Sequence, residues 1–253
     1  MKLRNIFYGL ICILCFASCQ QATKWQITQA TSVKIPLDSS TESIADKEYL
    51  AYLQPYKQNL DDELNIVIGH SEVMLTVGRP ESLLSNFSAD MLREVASQTL
   101  DTIIDIAIVN MGGLRVPLPK GNITCRNVFE LMPFENELVV LWLRGDKLAE
   151  LMNVIASVSG EGVSSDVKMG IKDKKIVHVE IGGKPIDSEK LYAIATSDYL
   201  ADGNDKLVQL AQYEKRLNTR LKLRDVYIDY IASQTKKEKQ ITAKLDKRIY
   251  YVD

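Results

Sequence analysis

The stretch Asp105-Ile-Ala-Ile-Val-Asn-Met-Gly-Gly-Leu-Arg115 decides how the rest of the chain is read. From Ile103 to Val109 it is almost continuously apolar and rich in β-branched residues, as a strand buried on both faces requires. It runs straight into Asn110, Gly112, Gly113 and Arg115. Glycines let the backbone turn tightly and come close to a ligand or to another segment of chain. An amide before the turn and a guanidinium after it reach the same space. The amide can read the polar edge of a ring, and the guanidinium fork matches a carboxylate or a phosphate. The same spacing also suits an ordinary strand-to-loop turn with a solvated arginine.

Outward from this strand, helices and strands intermix without a regular βαβ period. Leu138 to Leu143 reads as a second apolar strand, and Gly145-Asp146 open a helix through about Ile155. Val167 to Ile171 and Ile176 to Ile181 form an expected hairpin around Asp173-Lys174, with a tight turn at Gly182-Gly183. Tyr192 to Thr196 is a strand, Arg224 to Ser233 a helix and Arg248 to Val252 a last strand. Before the central strand, Asp46 to Leu60 has helical spacing with Pro55 as a kink, and Leu64 to Ile68 and Val73 to Val77 read as short strands. Pro80 then opens a helix from Glu81 to about Leu100, with Leu84, Phe87, Met91 and Val95 on its core face. The Gly- and Ser-rich stretch from Ser157 to Ser165 is a surface loop or a pocket rim. The pattern predicts an α+β fold, a mixed sheet with flanking helices in a single domain.

The first residues address the compartment. Lys2 and Arg4 form a basic start, and Ile6 to Phe16 is apolar but short of the roughly 20 residues that span a bilayer. Phe16-Ala17-Ser18-Cys19 resembles a bacterial lipoprotein box, with Cys19 as the lipidated residue of the mature chain. Residues 1–18 are therefore expected to be a signal peptide, 19–43 a polar tether with one short strand near Val33 to Ile35, and 44–253 the domain. A secreted, lipid-anchored protein of the periplasm or cell surface is expected. With Cys19 acylated, Cys125 has no partner, so no disulfide framework is expected. A net charge of −2 carries no electrostatic footprint for nucleic acid. The run Lys236 to Lys239 reads as a solvated helix end.

Histidine is scarce, His70 and His178 lie far apart, and no paired-imidazole spacing exists. Zinc or dimetal hydrolase sites draw on several imidazoles and carboxylates, so no metal site and no catalytic residue is assigned. Nucleophile-elbow, P-loop and dinucleotide fingerprints are absent too. What remains is a ligand-holding set. Phe134 and Tyr199 sit in loops beside strand ends and can stack a planar base, and Asp205 can accept hydrogen bonds from sugar hydroxyls.

Four segments in order resemble the C-terminal domain of 5'-nucleotidases. They are Glu81-Ser-Leu-Leu-Ser-Asn-Phe-Ser-Ala-Asp90, the Asp105–Arg115 stretch, Leu131-Met-Pro-Phe134 with Leu138 to Gly145, and Tyr192 to Asp205. The resemblance implies that Phe134 and Tyr199 sandwich the base and that Asn110 bonds its edge. It implies too that Arg115 meets the phosphate, Asp205 the ribose, and Gly112 and Gly113 the close backbone approach. Arg79 resembles a further arginine near the phosphates. Met111 stands where a small residue is common and Asn204 where glycine is common, and bulk at either place would narrow the pocket. In that family a separate metallophosphoesterase domain holds two divalent metals. This chain is therefore expected to need no cofactor of its own, and to be the nucleotide-recognition half of a split 5'-nucleotidase partnered by a separate metallophosphoesterase. Two alternatives stay open: a stand-alone nucleotide- or nucleoside-binding lipoprotein, and a scaffold with a decayed site.

Overall fold

The computed structural model describes residues 26–36, 38 and 46–252, and the chain divides into two units, Met1–Tyr52 and Leu53–Asp253. The signal segment 1–18 and Cys19 lie outside the described residues. In the first unit, residues 26–36 are exposed and without regular structure. The strand expected near Val33 to Ile35 does not form there, and both side chains stand in solvent. Helix α1 (Lys47–Leu64) begins in this unit, with the Asp46 carboxylate accepting from the Glu48 and Tyr49 amides at 2.9 and 3.2 Å. Pro55 lies inside α1 without ending it, and no α1 residue is buried.

The second unit continues in order through β1 (Val67–Ser71), α2 (Leu83–Leu100), β2 (Ile106–Val109), β3 (Gly121–Thr124), α3 (Cys125–Leu131), β4 (Glu137–Arg144) and α4 (Gly145–Ser157). Then come β5 (Gly162–Val163), β6 (Val167–Lys172), β7 (Lys175–Ile181), β8 (Leu191–Ser197), α5 (Asp198–Ala201), β9 (Lys215–Lys222), α6 (Leu223–Lys236) and β10 (Ile249–Tyr251). The fold is α+β with mixed sheets, as the pattern predicts.

The main sheet has the order β5-β2-β8-β4-β9. Strand β2 runs parallel to β8, while β4 runs antiparallel to both β8 and β9. Side chains of a strand alternate between faces, and here both faces are covered. Ala107, Val109, Leu138, Val140, Ala193 and Ala195 enter one core with Leu84, Phe87, Met91 and Leu92 of α2 and Val226, Tyr227 and Ile231 of α6. Ile106, Ile108, Val139, Leu141, Leu143, Tyr192 and Ile194 enter the other with Leu148, Leu151, Met152 and Ile155 of α4. Full burial of one such side chain contributes roughly 1.5–3 kcal/mol. A charge at any of these positions would break a layer.

Boundaries moved where local chemistry overrode periodicity. The α2 helix starts at Leu83 because Ser82 caps it: its hydroxyl accepts from the Ser85 amide, and Pro80 lies outside the helix. The strand expected at Leu64 to Ile68 is shifted to β1, paired antiparallel with β3. Val73 to Val77 holds only an isolated bridge, Leu75 to Leu118. Ile103 is exposed and precedes β2. The pattern missed β3, α3, β5, α5 and β9. A capping box at Thr124 and Asn127 starts α3. The basic edge strand β9, Lys-Arg-Leu-Asn-Thr-Arg-Leu-Lys, has too few apolar residues to register as a strand. Among the described residues no helix is long and apolar enough to cross a membrane.

Candidate functional site

Strand directions bring the site together. β2 and β8 are parallel, so their C-terminal ends share one sheet edge. β4 is antiparallel to β8 with Leu138 opposite Ser197, so the loop before β4 arrives at that same edge. β9 is antiparallel to β4, so its end and the start of α6 arrive there too. Open α/β sheets bind ligands at such strand ends. Here the edge holds a cavity of about 370 Å³ lined by Asn110, Gly112, Gly113, Arg115, Phe134, Tyr199 and Asp205. Leu92, Ile108, Val109, Met132, Asn136, Ser197 and Leu223 complete its wall. The volume lies in the range of small-ligand pockets, and apolar walls with a few polar groups are their usual chemistry.

Asp205 ties two of the expected ligand groups together. Its Oδ2 accepts from Asn110 Nδ2 at 2.5 Å and its Oδ1 from the Tyr199 hydroxyl at 2.9 Å. Each carboxylate oxygen keeps a further lone pair for an incoming hydroxyl. The hydrogen bond to Asp205, then desolvation of the phenol and the Asp205 charge, raise Tyr199 above its ordinary pKa. Asp205 itself takes a left-handed backbone, φ 53°, which Asp tolerates better than most residues.

The Asn110 side and the Phe134 side are each braced. Met111–Gly113 is one 3₁₀ turn, closed by Gly113 N–H donating to the Asn110 carbonyl at 3.1 Å. The Asn110 amide lies so close over Gly113 that a Cβ there would sit 2.7 Å from its Oδ1. Gly113→Ala is therefore expected to keep the fold but swing Asn110 off Asp205, weakening ligand binding about tenfold by calorimetric titration, because a 1.4 kcal/mol loss is tenfold. Arg115 donates to the Gly112 carbonyl at 3.2 Å. On the other side, Arg224 donates to the carbonyls of Met132 at 3.1 Å and Phe134 at 3.2 Å and pairs with Glu135 at 2.6 Å. It thereby holds the loop that presents the Phe134 ring.

Seven of the eight expected ligand residues line the cavity. Arg79 does not; its Nη2 donates to Glu161 at 2.6 Å. Met111 and Asn204 do not line it either. Met111 is buried, and Asn204 donates to the Tyr199 carbonyl at 2.8 Å, so neither narrows the pocket. Sequence reasoning missed Asn136, two residues beyond Phe134 in the same loop, where its polarity beside an expected stacking ring was the available signal. It also missed Ser197 and Leu223, which are placed by strand pairing alone. Among the described residues no three His, Cys, Asp or Glu side chains gather as a group that could hold a metal ion.

Comparison with known proteins agrees with this geometry. The family model "5'-nucleotidase, C-terminal domain" matches residues 67–212. A 5'-nucleotidase of Vibrio cholerae is 24% identical over 202 residues, covering 78% of this chain and 36% of that protein. A trifunctional nucleotide phosphoesterase of Bacillus subtilis is 29% identical over 191 residues, covering 68% of this chain and 13% of that protein. The crystal structure of a 5'-nucleotidase precursor from Thermus thermophilus superposes with a TM-score of 0.66 at 28% identity, covering 81% of this chain and 42% of that one. The chain thus spans less than half the length of these relatives. The matched segment spans β2, β4 and β8 and every lining residue of the cavity except Leu223, and the chain belongs to the 5'-nucleotidase C-terminal domain family.

Proposed function

We propose that this chain is the nucleotide-recognition half of a split 5'-nucleotidase, binding a nucleoside 5'-phosphate in the cavity and presenting it to a separate metallophosphoesterase. The observation that carries the reading is the meeting of two aromatic rings, an amide, a carboxylate and a guanidinium in one cavity at a single sheet edge. Phe134 and Tyr199 offer faces to a base, Asn110 an amide to its edge, Asp205 free lone pairs to ribose hydroxyls, and Arg115 a fork to a phosphate. The divalent metals of the partner would supply the activated water. This chain's own part is to bind, orient and exclude water around the nucleoside.

The test is a calorimetric titration with AMP, UMP and adenosine, followed by an assay of AMP hydrolysis with and without a purified metallophosphoesterase. Binding together with a rate gain in the mixture is expected. Binding with no rate gain for any metallophosphoesterase would favour a stand-alone nucleotide-capturing protein. No heat with any of the three ligands would leave a scaffold.

The same proposal places the protein on a bacterial membrane, in the periplasm or at the cell surface, through acylated Cys19. Acyl chains hold a protein there at ~0.8 kcal/mol per buried methylene. Cys19→Ser is expected to move the protein from the membrane pellet to the soluble fraction, read by fractionation and immunoblot. Equal retention of the variant would remove the anchor.

A further inference from the structure

We infer that Glu161, in the Gly- and Ser-rich loop outside the cavity, is the positioning residue of the Asn110–Arg115 turn. The inference rests on the proposed nucleotide reading for its consequence but not for its geometry. β5 pairs antiparallel with the end of β2, Ile108 opposite Val163 and Val109 opposite Gly162. The residue before Gly162 therefore arrives abreast of the residues after Val109. Glu161 is that residue. Its side chain is only 10% exposed, and its Oε2 accepts from the Met111 amide at 2.6 Å while its Oε1 accepts from Arg79 at 2.6 Å.

The Met111 amide is the kind of group that needs such a partner. The first N–H groups of a helical turn have no acceptor within it. Met111 opens the 3₁₀ turn and is buried, so water does not serve. An ionised carboxylate makes a shorter, stronger bond to an amide than a neutral acceptor does. Arg79 supplies the opposite charge that a carboxylate this buried requires. The chain around Glu161 has little freedom to move it. A Cβ at Gly160 would lie 2.5 Å from the Pro80 carbonyl, and one at Gly162 would lie 2.4 Å from Val109 Cγ2. Glu161 is thus threaded between the Arg79-Pro80 segment and the end of β2. By fixing Met111, it fixes the direction in which the preceding residue, Asn110, enters the cavity. Arg79, which does not line the cavity, acts on the site through this carboxylate.

The experiment uses the full chain and three variants: Glu161→Ala, Glu161→Gln and a remote control, Ile231→Val, whose side chain lies on the buried face of α6. Three quantities are read: the thermal midpoint, hydrogen exchange of the Gly113 and Leu114 amides without ligand, and the dissociation constants of adenosine and AMP. Those two amides bond within the turn, to Asn110 and Met111 carbonyls, and not to Glu161. Glu161→Ala is expected to speed their exchange about tenfold, as a loss of ~1.4 kcal/mol would, and to weaken adenosine and AMP by a common factor. Glu161→Gln keeps one acceptor oxygen without the charge and is expected to recover part of both. It also carries the test should the alanine variant not fold. The control is expected to lower the midpoint while leaving exchange and affinity as they were. Unchanged exchange at Gly113 and Leu114 in both Glu161 variants, or an affinity loss confined to AMP, overturns the inference. If the unaltered chain binds neither ligand, the nucleotide reading falls and the exchange measurement still decides the role of Glu161.

Discussion

Alanine at both Phe134 and Tyr199 is expected to abolish measurable nucleotide binding while leaving the thermal midpoint nearly unchanged. Both rings line the cavity, with Phe134 47% and Tyr199 38% exposed, so neither carries a share of the core comparable to the buried leucines. A stacked aromatic contributes ~1–3 kcal/mol per base. Two of them contribute ~2–6 kcal/mol, or roughly 30-fold to 10⁴-fold in dissociation constant. Titration of AMP and adenosine by calorimetry, beside thermal melts, separates the two effects. The single change Tyr199→Phe divides ring from hydroxyl. It keeps the stacking face and removes the donor to Asp205, and its expected loss is only ~0.5–1.5 kcal/mol. A double variant that binds as the parent does would remove both rings from the ligand's path.

The second large effect concerns stability. Arg248→Met is expected to cost up to about 3–5 kcal/mol, because it leaves the half-buried carboxylates of Asp246, Asp90 and Glu81 without their counter-charge. Arg248 is 2% exposed, and all five of its donors are used. Nε and Nη2 meet Asp246 at 3.0 Å each, Nη1 and Nη2 meet Asp90 at 2.9 Å each, and Nη1 also reaches the Val163 carbonyl at 2.8 Å. Glu81 lies 3.8 Å from Nε. One guanidinium thus joins α2, β5 and the segment leading into β10. Lysine has no planar fork and would not replace it.

This cluster also sets an acid limit. Burial pulls the Asp246 pKa upward, but the hydrogen bond and charge of Arg248, with Lys168 behind it, outweigh that and hold it below the ordinary carboxylate value. A carboxyl group whose folded pKa is depressed stabilises the fold above its unfolded value of roughly 3.9. That stability is lost as pH falls from there through the lower folded value. In Arg248→Met the depression disappears, so the gap between parent and variant should close as pH falls below about 4. Denaturant unfolding at several pH values measures it. A gap of constant size would show that the loss comes from packing rather than charge.

The nearly unbroken apolar run of β2 demanded burial on both faces, and the structure delivers it, with Ile106 and Ile108 in one core and Ala107 and Val109 in the other. The spacing of Leu84, Phe87 and Met91 marked the core face of α2 equally well. These features are local: a strand's period of two and a helix's of 3.6 are written along the chain. The turn Asp173-Lys174 was legible for the same reason, since a tight hairpin depends on a few adjacent residues, both here at positive φ.

The convergence of Asn110, Phe134, Tyr199 and Asp205 is different in kind. Their residue types suggested a ligand, but their meeting depends on β4 running against β8 while β2 runs with it, and strand direction is decided by tertiary pairing. Arg224 and Arg248 carried no signal, and Glu161 only that of a loop that could rim a pocket, because a charged residue in a loop or near an element's end looks solvated until its partners arrive from distant segments. Local periodicity and turn chemistry therefore came from the sequence alone. The cavity, the carboxylate behind its turn and the buried guanidinium came only from packing, because hydrogen bonds and ion pairs between segments 50 to 158 residues apart leave no pattern along the chain.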